Sequence, residues 1–271
     1  MLSVIIPASN EEGWIARCLS AVLASDPVPG GAEVIVVANG CRDGTVAAAR
    51  AVPVPAGWTV TVLDLTEGSK PGALNAGDGV AKGVLRAYLD ADCVLTPAVL
   101  AQLVQALDRD GPVYAGATPV IPRAHSALTR AYARFWQRLP FNRTVAPGYG
   151  LYAVNAAGRA RWGAFPRLIS DDTFVRLQFT PAERVQVPAR YDWPMVEGWA
   201  ALTRTRRRQD AGVRELEALY PGILSREGKA RLGLRGLLAL ALRDPAGFAV
   251  YAAVSLAVRA KRGGSGFTRG R

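Results

Sequence analysis

The first 120 residues alternate between short apolar segments and segments whose apolar side chains have helical spacing, and this pattern constrains the fold more than any other feature. The strand-like segments are LSVIIP, AEVIVVA, WTVTVLDL, VLRAYLD and GPVYAGATPVI. After the first of them, Trp14, Ile15, Cys18, Leu19 and Val22 lie on one helical face. Strands that alternate with helices predict an α/β fold with a mainly parallel sheet flanked by helices.

Polar clusters follow three of these strands directly. They are PASNEE, ANGCRDGT and DADC. In open parallel sheets, ligands bind in the crevice outside the carboxyl ends of the strands. We therefore expect the three clusters to converge on one site.

Residues 222–271 differ in composition from the rest of the chain, because they are strongly apolar with basic ends. Asp244 and Pro245 break this tail into two predicted helices, and neither apolar half reaches the ~20 residues that span a bilayer. One interpretation places both helices in a membrane interface, with basic side chains near lipid headgroups. These side chains are Arg231, Arg235, Arg259, Lys261 and Arg262. The other interpretation is a helical hairpin packed on the preceding domain or on a second subunit, and the terminal GGSGFTRGR predicts a flexible basic end.

The chain carries 33 lysines and arginines and a formal net charge of +11. This excess implies an anionic partner: a phosphorylated ligand, a membrane surface or nucleic acid. Cys18, Cys41 and Cys93 are far apart and His125 is the only histidine, so the ligands of a structural zinc site are lacking. Any metal must then be held by oxygen, which points to magnesium, manganese or calcium. Isolated cysteines, and an N-terminus that starts directly as a strand, predict a cytoplasmic protein.

The loop PASNEE carries neither GxGxxG nor GxxxxGK[ST], which argues against a nicotinamide-binding Rossmann site and against a P-loop. Asn10, Glu11 and Glu12 still offer polar groups at the end of a strand. They also suit a helix N-terminus, as a cap and two acids that interact favourably with the helix dipole.

The next two loops contain further candidate ligand-binding residues. In ANGCRDGT, Asn39 begins a predicted tight turn, and Asp43 opens a helix, where it either caps that helix or accepts hydrogen bonds from a base or ribose. Lys70 lies in a predicted loop before a helix that starts at Pro71 and carries Asn75. A lysine there suits a phosphate or a base carbonyl, and the alternative is a solvated loop lysine.

Asp90 and Asp92 follow the fourth strand with one residue between them. In an extended chain the two carboxylates would share one face, and their repulsion would require a cation. A divalent ion bound by one or two carboxylates and by substrate phosphates fits this need. The alternative is a turn before the helix that begins near Pro97.

The four segments VIIPASNEE, VIVVANGCRDGT, KPGALNAG and YLDADC together resemble the family 2 glycosyltransferases, which use nucleotide sugars and have the GT-A fold. The resemblance covers roughly residues 1–120. It implies a GT-A-type, Rossmann-like domain over residues 1–221, with a nucleotide-binding part over about 1–120 and an acceptor and catalytic part over about 121–221. The apolar helical tail, residues 222–271, follows this domain.

The resemblance also implies roles for individual residues. Nine residues would bind the nucleotide sugar: Pro7, Asn10, Glu11, Asn39, Asp43, Lys70, Asn75, Asp90 and Asp92. Among them, Asp43 would face the base, usually uracil. Asp92, with Asp90 beside it, would hold Mn²⁺ or Mg²⁺ on the donor diphosphate.

The segment ISDDTF is similar to the acidic motif that carries the catalytic base of the family, with Asp171 in place of Glu and Asp172 aligned to the base. Two acids there also favour a helix N-terminus, for which Ser170 is the candidate cap. An ionised Asp172 can take a proton from an acceptor hydroxyl in either case.

Processive members of the family carry Q-x-x-R-W after this acid, and TRTRRRQDAG stands at the corresponding place. Thr205 replaces Gln, Arg208 keeps the Arg, and Gln209 replaces Trp. This departure favours the transfer of a single sugar, with Arg208 neutralising the leaving diphosphate. The alternative for these arginines is a solvated or lipid-facing basic surface.

The resemblance therefore implies a metal-dependent, inverting hexosyltransferase that uses a UDP-sugar and a glycan or lipid-linked acceptor, in glycan or glycolipid synthesis. We expect no nucleic-acid partner, and a cytoplasmic location, either free or on the inner face of the membrane. PGYGLY and the aromatic residues Trp136, Tyr149 and Trp162 would shape the acceptor side. The competing functions are a sugar-phosphate nucleotidyltransferase, for which PASNEE is too acidic, and a non-enzymatic basic membrane-binding module.

Overall fold

A mixed sheet of eight strands runs through the part of the chain that the computed structural model describes, which comprises residues 1–228, 230 and 232–260. The strands are β1 (Leu2–Ala8), β2 (Ala32–Asn39), β3 (Thr59–Leu65), β4 (Leu85–Leu89), β5 (Val94–Leu95), β6 (Tyr114–Val120), β7 (Leu151–Val154) and β8 (Arg184–Asp192). Their order in the sheet is β3-β2-β1-β4-β7-β6-β8-β5. Arg231, Lys261, Arg262 and the terminal GGSGFTRGR lie outside the described residues.

Most of the sheet is parallel, which confirms the predicted α/β class. β1 pairs in parallel with both β2 and β4, and β2 pairs in parallel with β3. β7 is inserted antiparallel between β4 and β6, while β8 runs parallel to β6. Because β1, β2 and β4 point the same way, the loops that follow them open at one edge of the sheet.

Ten α-helices lie in the described residues. They are α1 (Ile15–Leu23), α2 (Thr45–Arg50), α3 (Lys70–Val80), α4 (Val99–Leu107), α5 (Ala127–Trp136), α6 (Ala156–Arg159), α7 (Asp171–Arg176), α8 (Gly198–Leu219), α9 (Leu234–Arg243) and α10 (Pro245–Ala260).

The sheet has an apolar layer on each face. Successive side chains of a strand point to opposite faces. In β1, Val4 and Ile6 therefore pack into the core that contains α1 and α4, whereas Ile5 packs into the core that contains α3. All three side chains are fully buried, which explains why the centre of this strand is apolar on both faces instead of alternating.

Two local expectations are corrected. Lys70 is the first residue of α3 and not a loop residue, because the Ser69 hydroxyl accepts a hydrogen bond from the Gly72 N–H at 3.1 Å and caps the helix one residue earlier. Asp90 and Asp92 lie in a turn and not in an extended segment, since the Cys93 N–H donates to the Asp90 carbonyl at 3.1 Å. Alternation along a strand therefore does not explain their proximity.

The two tail helices are interrupted at Asp244 and Pro245 as predicted. α10 packs against α5 and α8, where Val254 and Val258 are buried against Tyr132. This packing corresponds to the hairpin interpretation. No helix among residues 1–228, 230 and 232–260 is long and apolar enough to cross a bilayer.

Asp244 holds the junction between the two tail helices against α5. Its carboxylate accepts hydrogen bonds from Arg134 Nε at 2.8 Å, from Arg138 at 3.1 Å and from the Gly247 N–H at 3.0 Å. The hydrogen bond from Arg134 lowers the pKa of Asp244 to about 2, against the opposing effect of burial. The carboxylate therefore stabilises the fold in its ionised form.

We expect Asp244→Ala to lower the free energy of unfolding by about 2 kcal/mol at neutral pH, because the mutation removes both a helix cap and a partly buried ion pair. The folded-state pKa lies below the ordinary one, so this contribution is complete above pH ~4 and is lost as the pH falls towards 2. Urea unfolding at pH 7 and pH 3 measures both effects, and the difference from wild type should shrink at pH 3.

Glu67→Ala is the matched control, since Glu67 and Arg167 form an ion pair at 3.6 Å in which both side chains are exposed. It should change the free energy of unfolding by less than about 0.5 kcal/mol. Equal effects of the two mutations would contradict the structural role of Asp244.

Candidate active site

A cavity of about 290 Å³ opens at the carboxyl edge of the parallel strands. Nine of the twelve site residues predicted from the sequence line it: Pro7, Glu11, Asn39, Lys70, Asp90, Asp92, Asp171, Asp172 and Arg208. The expected convergence of the three polar clusters is therefore observed. Asn10, Asp43 and Asn75 do not line this cavity.

Asn10 and Asp43 hold two neighbouring loops together. The Asn10 carboxamide oxygen accepts a hydrogen bond from the Arg42 N–H at 2.8 Å, and Asp43 accepts one from the Glu12 N–H at 3.2 Å. Asp43 also accepts two bonds from Thr45, at 3.1 and 2.5 Å. Although burial opposes it, these hydrogen bonds lower the pKa of Asp43. Both residues were expected to contact the nucleotide, but their polar atoms bind the backbone of the loops.

Two asparagines have a similar local role. Asn39 donates to the Ala8 carbonyl at 2.9 Å and accepts from the Ser69 N–H at 3.0 Å, which joins the ends of β1 and β2 to the start of α3. Asn75 accepts from the Phe165 N–H at 2.6 Å and donates to the Phe165 carbonyl at 3.1 Å. The amide of Asn75 therefore anchors α3 to a distant loop, whereas the resemblance implied that it would bind the nucleotide sugar.

Lys70 connects the turn after β4 to the acidic motif at the start of α7. Its Nζ lies 2.9 Å from the Asp90 carboxylate and 3.3 Å from the Asp171 carboxylate. Burial alone would lower the pKa of Lys70, but Asp171, Asp90 and Asp172 outweigh it and raise that pKa above its ordinary value. The lysine is therefore the local countercharge for this group of acids.

Asp171 and Asp172 are adjacent in sequence but lie in different environments. Asp171 is buried, and burial raises its pKa to about 6, with Lys70 opposing the shift and Asp172 adding to it. Asp172 is only half-buried and lines the cavity, and its carboxylate accepts a hydrogen bond from the Thr173 N–H at 2.6 Å. Ser170 precedes the helix as predicted, but its side chain makes no capping hydrogen bond.

Two hydroxyl groups in the cavity have no hydrogen-bond partner among the described residues. They are the buried oxygens of Ser9, which follows β1, and Thr205, which lies on α8. A buried hydroxyl without a partner is energetically unfavourable, and a polar ligand can supply the missing bond. Ser9 was not singled out in the sequence, although it lies within PASNEE.

Three aromatic rings form a second wall of the cavity. The ring centroids of Trp136 and Tyr149 are 5.5 Å apart, those of Trp136 and Trp193 are 5.7 Å apart, and those of Tyr149 and Trp193 are 4.6 Å apart. Gly150 has φ 78°, and a Cβ there would lie 2.6 Å from the Trp193 ring, so glycine is required for this contact. We call Trp136, Tyr149 and Trp193 the aromatic wall.

Trp162 was predicted to shape the cavity but does not line it, whereas Trp193 does. Trp162 is buried in the core beneath Arg159, whose guanidinium lies 4.7 Å from its ring centroid. Trp193 was missed, although it directly follows β8, and the rule that sites lie after strands could have identified it.

The arginine run of α8 divides between two roles. Arg206 pairs with Asp210 at 2.9 Å and lies 5.7 Å from the Tyr251 ring centroid, while Arg207 donates to the Ala257 carbonyl at 2.9 Å. These two arginines hold α10, and Arg206 also lines the cavity. Arg208 lines the cavity, so the run is not simply a solvated or lipid-facing surface.

The side chains at the cavity supply only part of the ligand shell of a divalent cation. Asp90 and Asp92 supply carboxylate oxygens, which suit Mg²⁺ or Mn²⁺. Among the described residues, no group of three or more His, Cys, Asp or Glu side chains is arranged to hold a metal by itself. Such a site requires further oxygen ligands from a bound substrate, as phosphates provide.

We expect Lys70→Met to raise the pKa of Asp171 above about 6, because the mutation removes the positive charge that opposes the effect of burial. A carboxyl group with a raised folded-state pKa destabilises the fold as the pH rises from its unfolded pKa to its folded one. In the wild type, the decrease in the free energy of unfolding caused by Asp171 ends near pH 6. In the variant this decrease should continue above pH 6. Urea midpoints measured between pH 5 and pH 8 test this expectation.

Lys82→Met removes an exposed lysine and serves as the control for the lost charge. It should leave the wild-type pH profile unchanged. If Lys70→Met and Lys82→Met gave the same profile, the proposed effect of Lys70 on Asp171 would be wrong.

Comparisons with known proteins agree with the fold. A family model described as "Glycosyl transferase family 2" matches residues 3–161. The chain is 35% identical over 92 residues to glycosyltransferase AglE of Haloferax volcanii, which is 34% of this chain and 30% of that protein. It is 36% identical over 108 residues to an undecaprenyl-phosphate 4-deoxy-4-formamido-L-arabinose transferase of Aeromonas hydrophila, which is 39% of this chain and 33% of that protein. The matches thus cover about a third of each relative.

Solved structures extend the similarity of fold to most of the chain. A mannosyltransferase of Pyrobaculum calidifontis, in complex with GDP-Man and Mn²⁺, aligns with a TM-score of 0.60 and 21% identity over 97% of this chain and 76% of that one. Glucosyl-3-phosphoglycerate synthase of Mycobacterium tuberculosis, in complex with Mn²⁺, UDP-Glc and phosphoglyceric acid, aligns with a TM-score of 0.55 and 18% identity over 86% of this chain and 82% of that one. Because the family model covers more than half of the chain and the sheet order places its motifs around one cavity, the chain belongs to glycosyltransferase family 2.

Proposed function

We propose that the protein transfers one sugar from a nucleotide-diphosphate donor, with UDP as the nucleotide, to a hydroxyl group of an acceptor. The observation that carries this proposal is the composition of the cavity around α7. Asp172 lines the same cavity as the acids Asp90 and Asp92 and as the aromatic wall. A reacting group is thus available where a charged donor and a ring-shaped acceptor can both be accommodated.

The donor occupies the polar side of the cavity in this proposal. Pro7, Ser9 and Glu11 contact the nucleoside, and the orphaned Ser9 hydroxyl gains a hydrogen bond. Asp92, with Asp90, holds Mn²⁺ or Mg²⁺ on the diphosphate. Two fold relatives were solved with Mn²⁺ and a nucleotide sugar, which supports this choice.

The residues outside the cavity support the donor site indirectly. We assign Asn10 and Asp43 to fixing the two loops at the nucleoside end, because their side chains bind loop backbone. Asn75 fixes α3, which begins with Lys70, by its two bonds to Phe165. These residues set the positions of the backbone groups around the donor site.

The reaction is a single displacement with inversion at the anomeric carbon. The acceptor oxygen forms a bond to this carbon, its proton passes to Asp172, and the bond from the carbon to the diphosphate oxygen breaks with both electrons leaving on that oxygen. When bound, the divalent cation supplies Lewis-acid stabilisation of the leaving diphosphate. Arg208 adds positive charge on the same side, where negative charge develops.

Lys70 and Asp171 position the base. Asp171 is the first residue of α7, and its ion pair with Lys70 ties this end of the helix to the turn that carries Asp90. Asp172 is thereby held at the cavity surface with its carboxylate accepting the Thr173 N–H. The proton acceptor is therefore Asp172, the half-buried member of the pair, and not the buried Asp171.

The acceptor lies against the aromatic wall. Sugar rings present C–H faces that pack on aromatic side chains, and an apolar carrier also packs there. The acceptor is accordingly a glycan or a lipid-linked sugar, and one relative is named as an undecaprenyl-phosphate transferase, which supports the lipid-linked form. Thr205 and Gln209 both line the cavity, at the positions of the Gln and Trp of processive members. Because this chain lacks that Gln and Trp, the proposed product carries a single added sugar.

Family membership favours this function over the two competing ones. A nucleotidyltransferase would require a basic triphosphate-binding loop after β1, where PASNEE is acidic. A purely membrane-binding module would not require the linked acids around Lys70. We place the reaction in the cytoplasm, with the enzyme peripheral to the inner face of the membrane.

We expect Asp92→Asn and Asp172→Asn to affect different steps. Asp92→Asn should abolish the manganese-dependent rise in thermal midpoint on addition of a UDP-sugar, because a ligand that binds only the folded state stabilises it. Asp172→Asn should keep this rise and lose at least ~10²-fold in turnover, because only the proton acceptor is removed. A screen of nucleotide sugars by thermal shift, followed by a transfer assay with the best donor, measures both.

Asp64→Asn, at an exposed position of β3, is the control and should behave as the wild type. Tight donor binding by the wild type in EDTA would contradict the role of the metal. Full turnover in Asp172→Asn would contradict the assignment of the base.

Arg208→Ala should lower turnover by roughly 10–10²-fold with a smaller effect on donor affinity, since negative charge on the diphosphate grows as the bond breaks. Arg204→Ala is the matched control, since it makes the same change on the same helix. Arg204 is exposed and does not line the cavity. Steady-state kinetics on the two variants separates the effects. Equal losses in both would point to a general effect of the basic helix.

A further inference from the structure

α9 has an exposed face made of leucines. Leu234, Leu238 and Leu242 are 80%, 59% and 81% exposed. A spacing of four residues places them in one row along the helix. Large apolar side chains gathered in this way mark an interaction surface, unlike scattered single ones.

Two exposed arginines lie on the same helix as the leucine row. Arg235 and Arg243 are exposed and each follows a leucine of the row by one residue. We call Leu234, Arg235, Leu238, Leu242 and Arg243 the leucine–arginine surface. Aliphatic side chains beside guanidinium groups suit a boundary that is apolar on one side and anionic on the other.

The rest of the molecule fixes this face outwards. Leu240, on the opposite side of α9, is buried, and Asp244 at the end of the helix is held by Arg134 and Arg138. The leucine row therefore does not turn inwards to complete the core.

α9 also covers a basic cavity of about 540 Å³, which Gly236 and Leu240 help to line. The charged residues that line it are Arg138, Arg143, Arg176, Arg184 and Glu227. Arg138 pairs with Asp244 and Arg176 pairs with Glu227, and the remaining arginines give this side of the molecule a positive potential that adds to that of Arg235 and Arg243.

The charge pattern argues against a second copy of the chain as the partner. Asp244 is the only acid in residues 234–260, and it is buried and paired. In a symmetric dimer through this face, Arg235 and Arg243 of each copy would meet a surface with the same basic character. An anionic lipid surface offers phosphates to the arginines and acyl chains to the leucines.

We propose that α9 lies flat in the headgroup layer of an anionic bilayer, with the three leucines inserted and the two arginines on lipid phosphates. The ten residues of α9 suit a helix parallel to the surface. The proposal does not depend on the glycosyl transfer proposed above, because binding to vesicles requires neither donor nor acceptor.

The test is co-sedimentation of the full chain with vesicles, either of phosphatidylcholine alone or of equal parts phosphatidylcholine and phosphatidylglycerol. The wild type should bind the anionic vesicles. Replacement of Leu234, Leu238 and Leu242 together by Gln should weaken binding by more than ~10-fold, because the inserted apolar area is lost. Arg235→Gln with Arg243→Gln should weaken binding to anionic vesicles by roughly fivefold per arginine.

Leu219→Gln is the matched control, because Leu219 is a similarly exposed leucine (61%) at the end of α8. It should leave vesicle binding unchanged, and the thermal midpoints of all variants should match that of the wild type. The proposal would be refuted if the triple leucine variant bound vesicles as tightly as the wild type does, or if the wild type did not bind them. If the wild type formed a dimer in solution and bound no vesicles, and the triple leucine variant were a monomer, the surface would be assigned to a second copy of the chain instead.

Discussion

A buried carboxylate requires a countercharge, and the site is organised around the one that Lys70 supplies to Asp171. The two residues come from separate parts of the chain, the start of α3 and the start of α7, and Asp90 joins them from the turn after β4. An ion pair of this kind is weak evidence for stability, because desolvation offsets most of the attraction. Its clearer effect is on geometry, since it fixes three backbone segments with respect to one another.

The same principle applies to the loops after β1 and β2. Their polar side chains are used to bind each other's backbone, as the bonds from Arg42 to Asn10 and from Glu12 to Asp43 illustrate. Loops that are fixed in this way can present backbone and cavity-facing atoms to a ligand without losing much conformational freedom on binding. The acidic and amide-rich composition of these loops is therefore explained by architecture as much as by ligand chemistry.

The sequence predicts the sheet and the location of the site well, because both depend on periodicity and on the rule that ligands bind after parallel strands. It does not predict the direction of individual side chains. Asn75 and Trp162 have the residue types expected of ligand contacts, but one binds Phe165 and the other packs under Arg159. Trp193 reaches the cavity because β8 pairs in parallel with β6, on the side away from β7, and so ends at the same edge of the sheet as β1 and β4. Local patterns do not contain this order of strands.

The contact of α10 with α5 and α8 has a consequence for how the chain is divided. Tyr132 and Leu202 line the cavity on one side and pack against Val254 and Val258 of α10 on the other. The change in composition near residue 222 is therefore not a mechanical boundary. Any event that displaces α10, such as the docking of a partner, has a direct physical route to the lining of the cavity.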